Sequence, residues 1–222
     1  MHPYVLFLKK HVEKHANPAN AAPMKKYMRD QFEYLGIKTP LLVALRKGFI
    51  EENGHPPLKD LDRIARDLWS LPQREFQYLA VGLIGKMEKQ LTEDFITTLE
   101  YLITHKSWWD TVDSLAGNSV GVMFKRYPKV KRKYLKTWRT SDNLWLRRTT
   151  LLFQLGYKEE TDFGLLCGLI EENLGSDEFF INKAIGWALR QYAWTDPGVV
   201  RKYVKATKGL SLLSRREALK NL

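Results

Sequence analysis

Apolar residues recur at intervals of three and four positions along almost the whole chain, whereas strict alternation of apolar and polar residues is scarce. The first pattern is typical of amphipathic helices and the second of strands. The sequence therefore predicts an all-α fold. Helices are expected near residues 3–15, 18–35, 40–53, 58–69, 72–87, 92–104, 107–124, 128–138, 142–155, 162–173, 177–193, 197–206 and 214–222.

Capping residues and prolines mark several of the predicted helix ends. Asn53-Gly54 indicates that a helix stops there. Ser214 is followed three residues later by Glu217, which matches the capping-box spacing and predicts that Ser214 begins the last helix. Three further pairs place a capping residue before a proline that suits the first helical turn, namely Asn17-Pro18, Thr39-Pro40 and Asp196-Pro197.

From about residue 18 onward the predicted helices form pairs of roughly 30–40 residues, close to the period of HEAT and armadillo repeats. Stacked pairs of this kind form a curved solenoid. We therefore expect residues 1–222 to form a single HEAT-like helical-repeat domain with a concave surface. Sequence identity between the pairs is weak, so a compact helical bundle is the alternative.

The charge of the chain favours a polyanionic partner. Its 36 Lys and Arg residues outnumber 25 Asp and Glu residues, giving a formal charge of +11. Neutralising phosphates releases condensed counterions, so nucleic acid is the first candidate and a membrane surface the second. A single lysine more often belongs to a solvated helix face, but a cluster predicts a basic surface. The central cluster comprises Lys125, Arg126, Lys129, Lys131, Arg132, Lys133, Lys136, Arg139, Arg147 and Arg148.

Several protein classes are disfavoured by what the chain lacks. No apolar run of about 18 residues could span a bilayer, and the first residues lack the features of a secretory signal, so we expect a soluble, cytoplasmic protein. Cys167 is the one cysteine and lies among leucines, which predicts an inert core residue. His11 and His15 have ligand spacing without evident partners, and phosphate-binding glycine loops are absent. Neither a metal nor a cofactor is expected.

The helix predicted at 107–124 carries the first informative pair. Trp109 and Asp113 are four residues apart and share a face with Ala116 and Val120. A carboxylate in such apolar surroundings needs a donor or a cation. Either an arginine of the adjoining repeat pairs with Asp113, or the indole and carboxylate together bind an electron-poor ring or sugar. The neighbouring core stripe is predicted to contain Trp108, Val112, Leu115 and Val122.

Arg148 is mismatched with its helix face in a complementary way. Leu144 and Leu152 lie four residues to either side of it, so the guanidinium has unusually apolar neighbours. It needs an anion. The candidates are Asp113 within the protein and a phosphate from outside, since arginine donates paired hydrogen bonds to either.

Trp187 shows the opposite mismatch. It shares its side of a predicted helix with Lys183 and Arg190. An indole among basic residues is typical of a surface that binds sugars or bases. The same spacing would also suit a buried anchor between two repeats.

These residues and their settings resemble the AlkD-type alkylpurine DNA glycosylases, a family built from HEAT-like repeats. The resemblance covers essentially the whole chain and rests on Ser107-Trp108-Trp109-Asp110-Thr111-Val112-Asp113, Leu146-Arg147-Arg148-Thr149 and Ile185-Gly186-Trp187-Ala188-Leu189-Arg190. It implies that the substrate is duplex DNA containing N3- or N7-alkylated purines, such as 3-methyladenine and 7-methylguanine. Hydrolysis of the N-glycosidic bond would leave an abasic site, without a base flipped into a pocket.

The resemblance also implies roles for individual residues. Asp113 would stabilise an oxocarbenium-like sugar and orient or deprotonate water. Trp109 and Trp187 would pack against the deoxyribose, and Arg148 would grip a nearby backbone phosphate. The expected site therefore comprises catalytic residues Asp113, Trp109 and Trp187 and DNA-binding residues Arg148, Lys183 and Arg190.

Two other functions stay open for the same sequence. A non-catalytic solenoid could bind bent or branched DNA, with Asp113 paired only to arginine. A protein-interaction scaffold would leave the positive charge without a role. A helix-hairpin-helix glycosylase is disfavoured, because no Gly-rich hairpin precedes a candidate aspartate. We expect a monomer, since one curved solenoid can cradle a duplex unaided.

Overall fold

The computed structural model describes residues 1–222, and its regular structure is helical apart from one isolated bridge between Glu33 and Gln73. The predicted all-α fold is confirmed. The chain divides into two compact units, Met1–Thr98 and Leu99–Leu222. Packed helix pairs within each unit agree with the predicted helical repeat, while the single domain and the concave basic surface stay predictions.

In the first unit, α1 and α5 each pack against both α3 and α4. The apolar side of α4 is fully buried in this core, with Leu61, Ile64 and Leu68 at helical spacing. The helices of this unit are α1 (Pro3–Glu13), α2 (Pro18–Tyr27), α3 (Thr39–Asn53), α4 (Leu61–Ser70) and α5 (Arg74–Met87), and α6 (Ile96–Thr104) crosses its boundary.

In the second unit, α10 is central, because it packs against α7, α9, α11 and α12. Helix α12 in turn packs on α13 and most extensively on α14. Side chains of α7 and α12 can therefore meet those of α10. The helices are α7 (Trp109–Ser114), α8 (Gly121–Arg126), α9 (Pro128–Trp138), α10 (Leu144–Leu152), α11 (Phe163–Glu171), α12 (Phe179–Tyr192), α13 (Pro197–Ala206) and α14 (Leu212–Ala218).

Three of the five helix ends predicted from capping residues are confirmed. The side chains of Asn17 and Asp196 accept hydrogen bonds from the first turns of α2 and α13, and Gly54 follows α3 with a φ of 77°. The prediction for Thr39 is wrong, because this residue lies inside α3 and Lys38 precedes it without a side-chain cap.

The predicted start of the last helix is also wrong. Ser211 caps α14, and its Oγ accepts a hydrogen bond from the amide of Ser214 at 3.0 Å. Ser214 lies within the helix, where its own hydroxyl is 2.9 Å from the carbonyl oxygen of Asn182 on α12. The capping-box spacing was therefore coincidental, and Glu217 is available for other partners.

The helix expected over 18–35 ends at Tyr27. The chain then turns through Arg29 and Asp30, whose φ angles are positive, and continues as an extended segment. A buried carboxylate of α5, Glu75, holds this segment by accepting backbone hydrogen bonds from residues 35, 36 and 37 at 2.9–3.0 Å. This tertiary anchor overrides the helical spacing of the apolar residues.

The continuous helix predicted at 107–124 contains a π-helical stretch, Leu115–Val120, between α7 and α8. A π turn holds more residues than an α turn, so the buried face is displaced beyond this stretch. Val112 and Leu115 are buried as predicted, but Val122 is only half-buried and Phe124 takes the core position.

Close contact with the segment that follows α10 accompanies the end of the π-helical stretch. A Cβ at Gly121 would lie 2.5 Å from the carbonyl oxygen of Phe153, so only glycine fits there. The Tyr157 hydroxyl donates a 2.7 Å hydrogen bond to the Gly121 carbonyl. These contacts fix α8 against the segment that follows α10.

Cys167 is half-buried rather than a core residue, because α11 leaves one side of it accessible. Burial raises the pKa of its thiol to about 11, so the sulfur is a neutral thiol at physiological pH, as an inert residue requires. None of the helices is sufficiently long and apolar to cross a bilayer.

Candidate functional site

Five of the six predicted site residues line a single cleft of the second unit. Helices α7, α10, α12 and α14 all contribute to its walls. The sixth predicted residue, Asp113, is bound to one of the lining side chains. The lining consists of Trp109, Arg148, Phe179, Phe180, Lys183, Trp187, Arg190 and Glu217.

Asp113 on α7 and Arg148 on α10 form a bidentate ion pair. Arg148 Nε lies 2.7 Å from Asp113 Oδ1, and Nη2 lies 2.8 Å from Oδ2. The Arg148 and Asp113 side chains are only 5% and 13% exposed, respectively. A third donor, Nη1, binds the carbonyl oxygen of Phe180 on α12. The predicted arginine partner of Asp113 is thus confirmed, and the phosphate contact of Arg148 stays a prediction.

The electrostatic state of Asp113 reflects two opposing effects. Burial raises the pKa of its carboxyl above the ordinary value, the hydrogen bonds and charge of Arg148 oppose this rise, and the charge of Asp110 adds to it. A carboxylate in this setting is poorly solvated. It therefore interacts strongly with any positive charge that forms beside it.

An aromatic cluster supports the cleft from α7, α10 and α12. The rings of Trp108, Trp145 and Phe180 lie 5.0–5.8 Å apart, measured between centroids. Trp108 precedes α7 directly and is half-buried instead of lying in the predicted core stripe. The cluster fixes the start of α7 and thereby the position of Trp109.

Three residues of α12 face the cleft together. Lys183, Trp187 and Arg190 follow one another at intervals of four and three residues, while Ile181, Ile185 and their neighbours are buried on the other side. Trp187 is half-buried and accessible at the cleft. The sequence had placed Trp187 on one side of the helix with Lys183 and Arg190, and the structure places the three residues in the same cleft.

Glu217 of α14 was missed as a cleft residue by sequence reasoning. Its Oε1 lies 2.9 Å from Lys183 Nζ, and its Oε2 lies 2.7 Å from Arg190 Nη1. Hydrogen bonds from these two cations hold the pKa of the Glu217 carboxyl below its ordinary value. The capping-box spacing gave Glu217 a local explanation, and no local pattern links α14 to α12.

Comparison with known proteins identifies the family of this chain. A family model described as DNA alkylation repair enzyme matches residues 8–222. This chain belongs to the DNA alkylation repair enzyme family. A solved structure described as a predicted DNA alkylation repair enzyme from Enterococcus faecalis is 34% identical, with a TM-score of 0.85. The match covers 93% of this chain and 96% of the other. A search of curated proteins finds no match.

Membership of the DNA alkylation repair family makes DNA the partner of interest for the central basic cluster. Some of its cations have acidic partners, such as Lys125, which lies 2.7 Å from Glu160, and Arg139, which binds Glu172. Others on α9 are exposed, including Lys129 and Arg132. This family member therefore presents positive charge that its own carboxylates only partly neutralise.

Proposed function

We propose that this DNA alkylation repair family member is a monofunctional DNA glycosylase. Its substrate would be duplex DNA carrying N3- or N7-alkylated purines, and its products the free base and an abasic site. The observation that carries the proposal is the poorly solvated Asp113 carboxylate beside a cleft lined by Trp109 and Trp187. A positive charge that develops on the sugar would interact strongly with such a group.

The reaction needs no redox change and no cofactor. An alkylated purine is already cationic, so its bond to C1′ of the deoxyribose is weakened. As that bond breaks, its electron pair leaves with the base, which becomes neutral, and positive charge moves to the sugar. Water then bonds to C1′, and its proton passes to Asp113 or to solvent. Asp113 stabilises the cationic sugar throughout.

The indoles of Trp109 and Trp187 would stabilise the same transition state. Trp109 on α7 and Trp187 on α12 line the cleft on which the sugar would pack. Their faces attract a cation, and this attraction grows as the sugar gains charge. Binding of this kind favours the transition state over the ground state and therefore raises the rate.

Arg148 keeps the carboxylate ready for this role. Its paired hydrogen bonds fix both oxygens of Asp113, so the charge is oriented before DNA arrives. Arg148 also lines the cleft, and the N–H groups that bind neither Asp113 nor Phe180 would contact a backbone phosphate. Recognition through sugar and phosphate would make an enclosed base pocket unnecessary, and bulky N3-purine adducts would then be accepted along with methyl adducts.

The decisive experiment is single-turnover release of 7-methylguanine from a defined duplex under enzyme excess. We expect the wild type to release the base and Asp113→Asn to be at least about a hundredfold slower, with a much smaller change in duplex affinity. Equal losses in rate and affinity would make Asp113 a structural residue. Failure of the wild type to release any alkylated purine would refute the glycosylase.

A second candidate is a DNA-binding protein of the same family without base-release activity. The observation that favours it is the engagement of both Asp113 oxygens by Arg148, which gives the carboxylate a complete structural role. Such a protein would bind the duplex as a monomer through its basic surface. The base-release measurement separates the two candidates, because only the glycosylase generates an abasic site.

A further inference from the structure

Glu217 presents an apparent contradiction, because it places a negative charge in a cleft that is proposed to receive DNA. Its side chain is 11% exposed, whereas those of Lys183 and Arg190 are 37% and 22% exposed. The carboxylate therefore lies beneath the two cations rather than in front of them. A phosphate approaching the cleft would meet the cations first.

The carboxylate uses only part of the hydrogen-bonding capacity of its partners. One N–H of Lys183 and one of Arg190 are directed at Glu217. An ammonium has three N–H donors and a guanidinium five, so several remain for an external ligand. The two oxygens of one carboxylate also draw both cations to the same point.

The backbone is built to bring Glu217 to this place. A Cβ added at Gly186 would lie 2.5 Å from Glu217 Cβ and 2.9 Å from the carbonyl oxygen of Ser214. Helices α12 and α14 are thus in near-contact next to Trp187, and only a glycine allows it. The Ser214 hydroxyl, bound to Asn182 on α12, ties the two helices together one turn away.

We infer that Glu217 is a positioning residue that holds Lys183 and Arg190 as a paired clamp for a DNA backbone phosphate beside Trp187. This inference rests on the proposed function, since the clamp would place the sugar of the damaged nucleotide on the indole. Lys183 and Arg190 lie one turn before and one turn after Trp187, so a phosphate bound by both is fixed relative to the ring. Glu217 itself does not touch the substrate.

Replacing Glu217 tests the inference, because a simple charge effect and a positioning role predict opposite changes in duplex binding. Glu217→Gln makes the surface more positive, so simple electrostatics would tighten duplex binding. A positioning role demands the opposite, namely excision slower by about tenfold or more and duplex affinity that is unchanged or weaker. The matched control is Glu172→Gln, which removes a carboxylate paired with Arg139 outside the cleft lining. We expect this control to excise at the wild-type rate.

A double-mutant cycle tests whether Glu217 affects excision through Lys183 and Arg190. In a Lys183→Gln, Arg190→Gln background, adding Glu217→Gln should cause no further loss of excision, because the groups it positions are gone. Thermal denaturation of each variant checks that it is folded. If Glu217→Gln does not fold, the single variants Lys183→Gln and Arg190→Gln still test the clamp, since each should flatten the salt dependence of duplex binding.

Two results would overturn the inference. The first is Glu217→Gln binding the duplex more tightly and excising at the wild-type rate. The second is an unchanged salt dependence in both Lys183→Gln and Arg190→Gln. A wild type that releases no base would refute the glycosylase instead, and the salt dependence on unmodified duplex would still report on the clamp.

Discussion

In the function we propose, Asp113 has a structural and a chemical role at once, because the same two oxygens that bind Arg148 lie beside the cleft. Burial raises the pKa of this carboxyl against the opposing effect of Arg148. In the folded protein the proton is bound more tightly than in the unfolded chain, so ionisation of Asp113 costs stability, which falls as pH rises through the pKa. Activity should respond in the opposite direction.

We therefore expect base release to fall on acidification at a pH above the ordinary range of aspartate. In the proposed mechanism the ionised form is active, so the rate is lost as pH decreases through the raised pKa. The measurement is the single-turnover rate across the acidic range, with duplex binding recorded at each pH. A rate that is constant until the protein unfolds would contradict the assignment.

Replacing Arg148 should be costly for a different reason. Arg148→Ala leaves a buried carboxylate without its partner, which typically destabilises a protein by about 3–5 kcal/mol. Excision and binding should weaken together, with a shallower salt dependence if Arg148 also contacts phosphate. Denaturant unfolding measures the stability, and Arg148→Lys is the control that keeps the charge but removes the paired geometry. Equal stability of Arg148→Ala and wild type would contradict this account.

The residues of the candidate site could be predicted from the sequence where each was mismatched with its helix face. Asp113 and Arg148 were both charged residues among apolar neighbours, and an ion pair between them was one of the two partnerships that the sequence predicted for each. Glu217 could not be found in this way. Its partners lie 27 and 34 residues away on another helix, and its local spacing had an adequate explanation.

Helix positions could be predicted because amphipathic spacing is a local property of the sequence. The predictions are wrong where a side chain distant in sequence binds the backbone. The clearest case is the segment after α2, which takes its backbone partners from Glu75 on α5. Three amides converge on one buried carboxylate there. The spacing of apolar residues within 18–35 could not predict that contact.

Glu75→Gln should therefore destabilise the first unit by about 2 kcal/mol or more, because a neutral amide oxygen is a weaker acceptor and its NH2 group meets amide donors. Chemical denaturation monitors the loss. Glu93→Gln makes the same charge change at an exposed position and should alter stability by less than about 0.5 kcal/mol. Similar stability of the two variants would show that Glu75 is not the anchor.

At the scale of the whole molecule, net charge and family membership give the same partner. Most of the excess positive charge lies in the second unit, which also contains the cleft. Phosphate contacts there would make duplex affinity fall steeply with salt. The net charge could be predicted from the composition. The cations that would contact DNA could not, because some of them are paired with carboxylates of the protein itself.

Substitution of the exposed cations of α9 tests which basic residues bind the duplex. Lys129→Gln combined with Arg132→Gln should reduce the log–log salt slope of duplex binding by about one unit for each phosphate that is no longer neutralised. Lys125→Gln should have a smaller effect, because Lys125 is held by Glu160. A slope that is unchanged in the double variant would mean that α9 does not face the duplex.

The π-helical stretch between α7 and α8 has a consequence for evolution within the family. A π-helical turn accommodates one more residue than an α-helical turn. Each residue of an α-helix turns the chain by about 100°. The loss of one residue within 115–120 would therefore leave a regular helix with Asp113 still directed at Arg148, whereas the loss of one residue from α7 after Asp113 would turn this carboxylate away from its partner. Relatives are accordingly expected to vary in length at the π-helical stretch and not within α7.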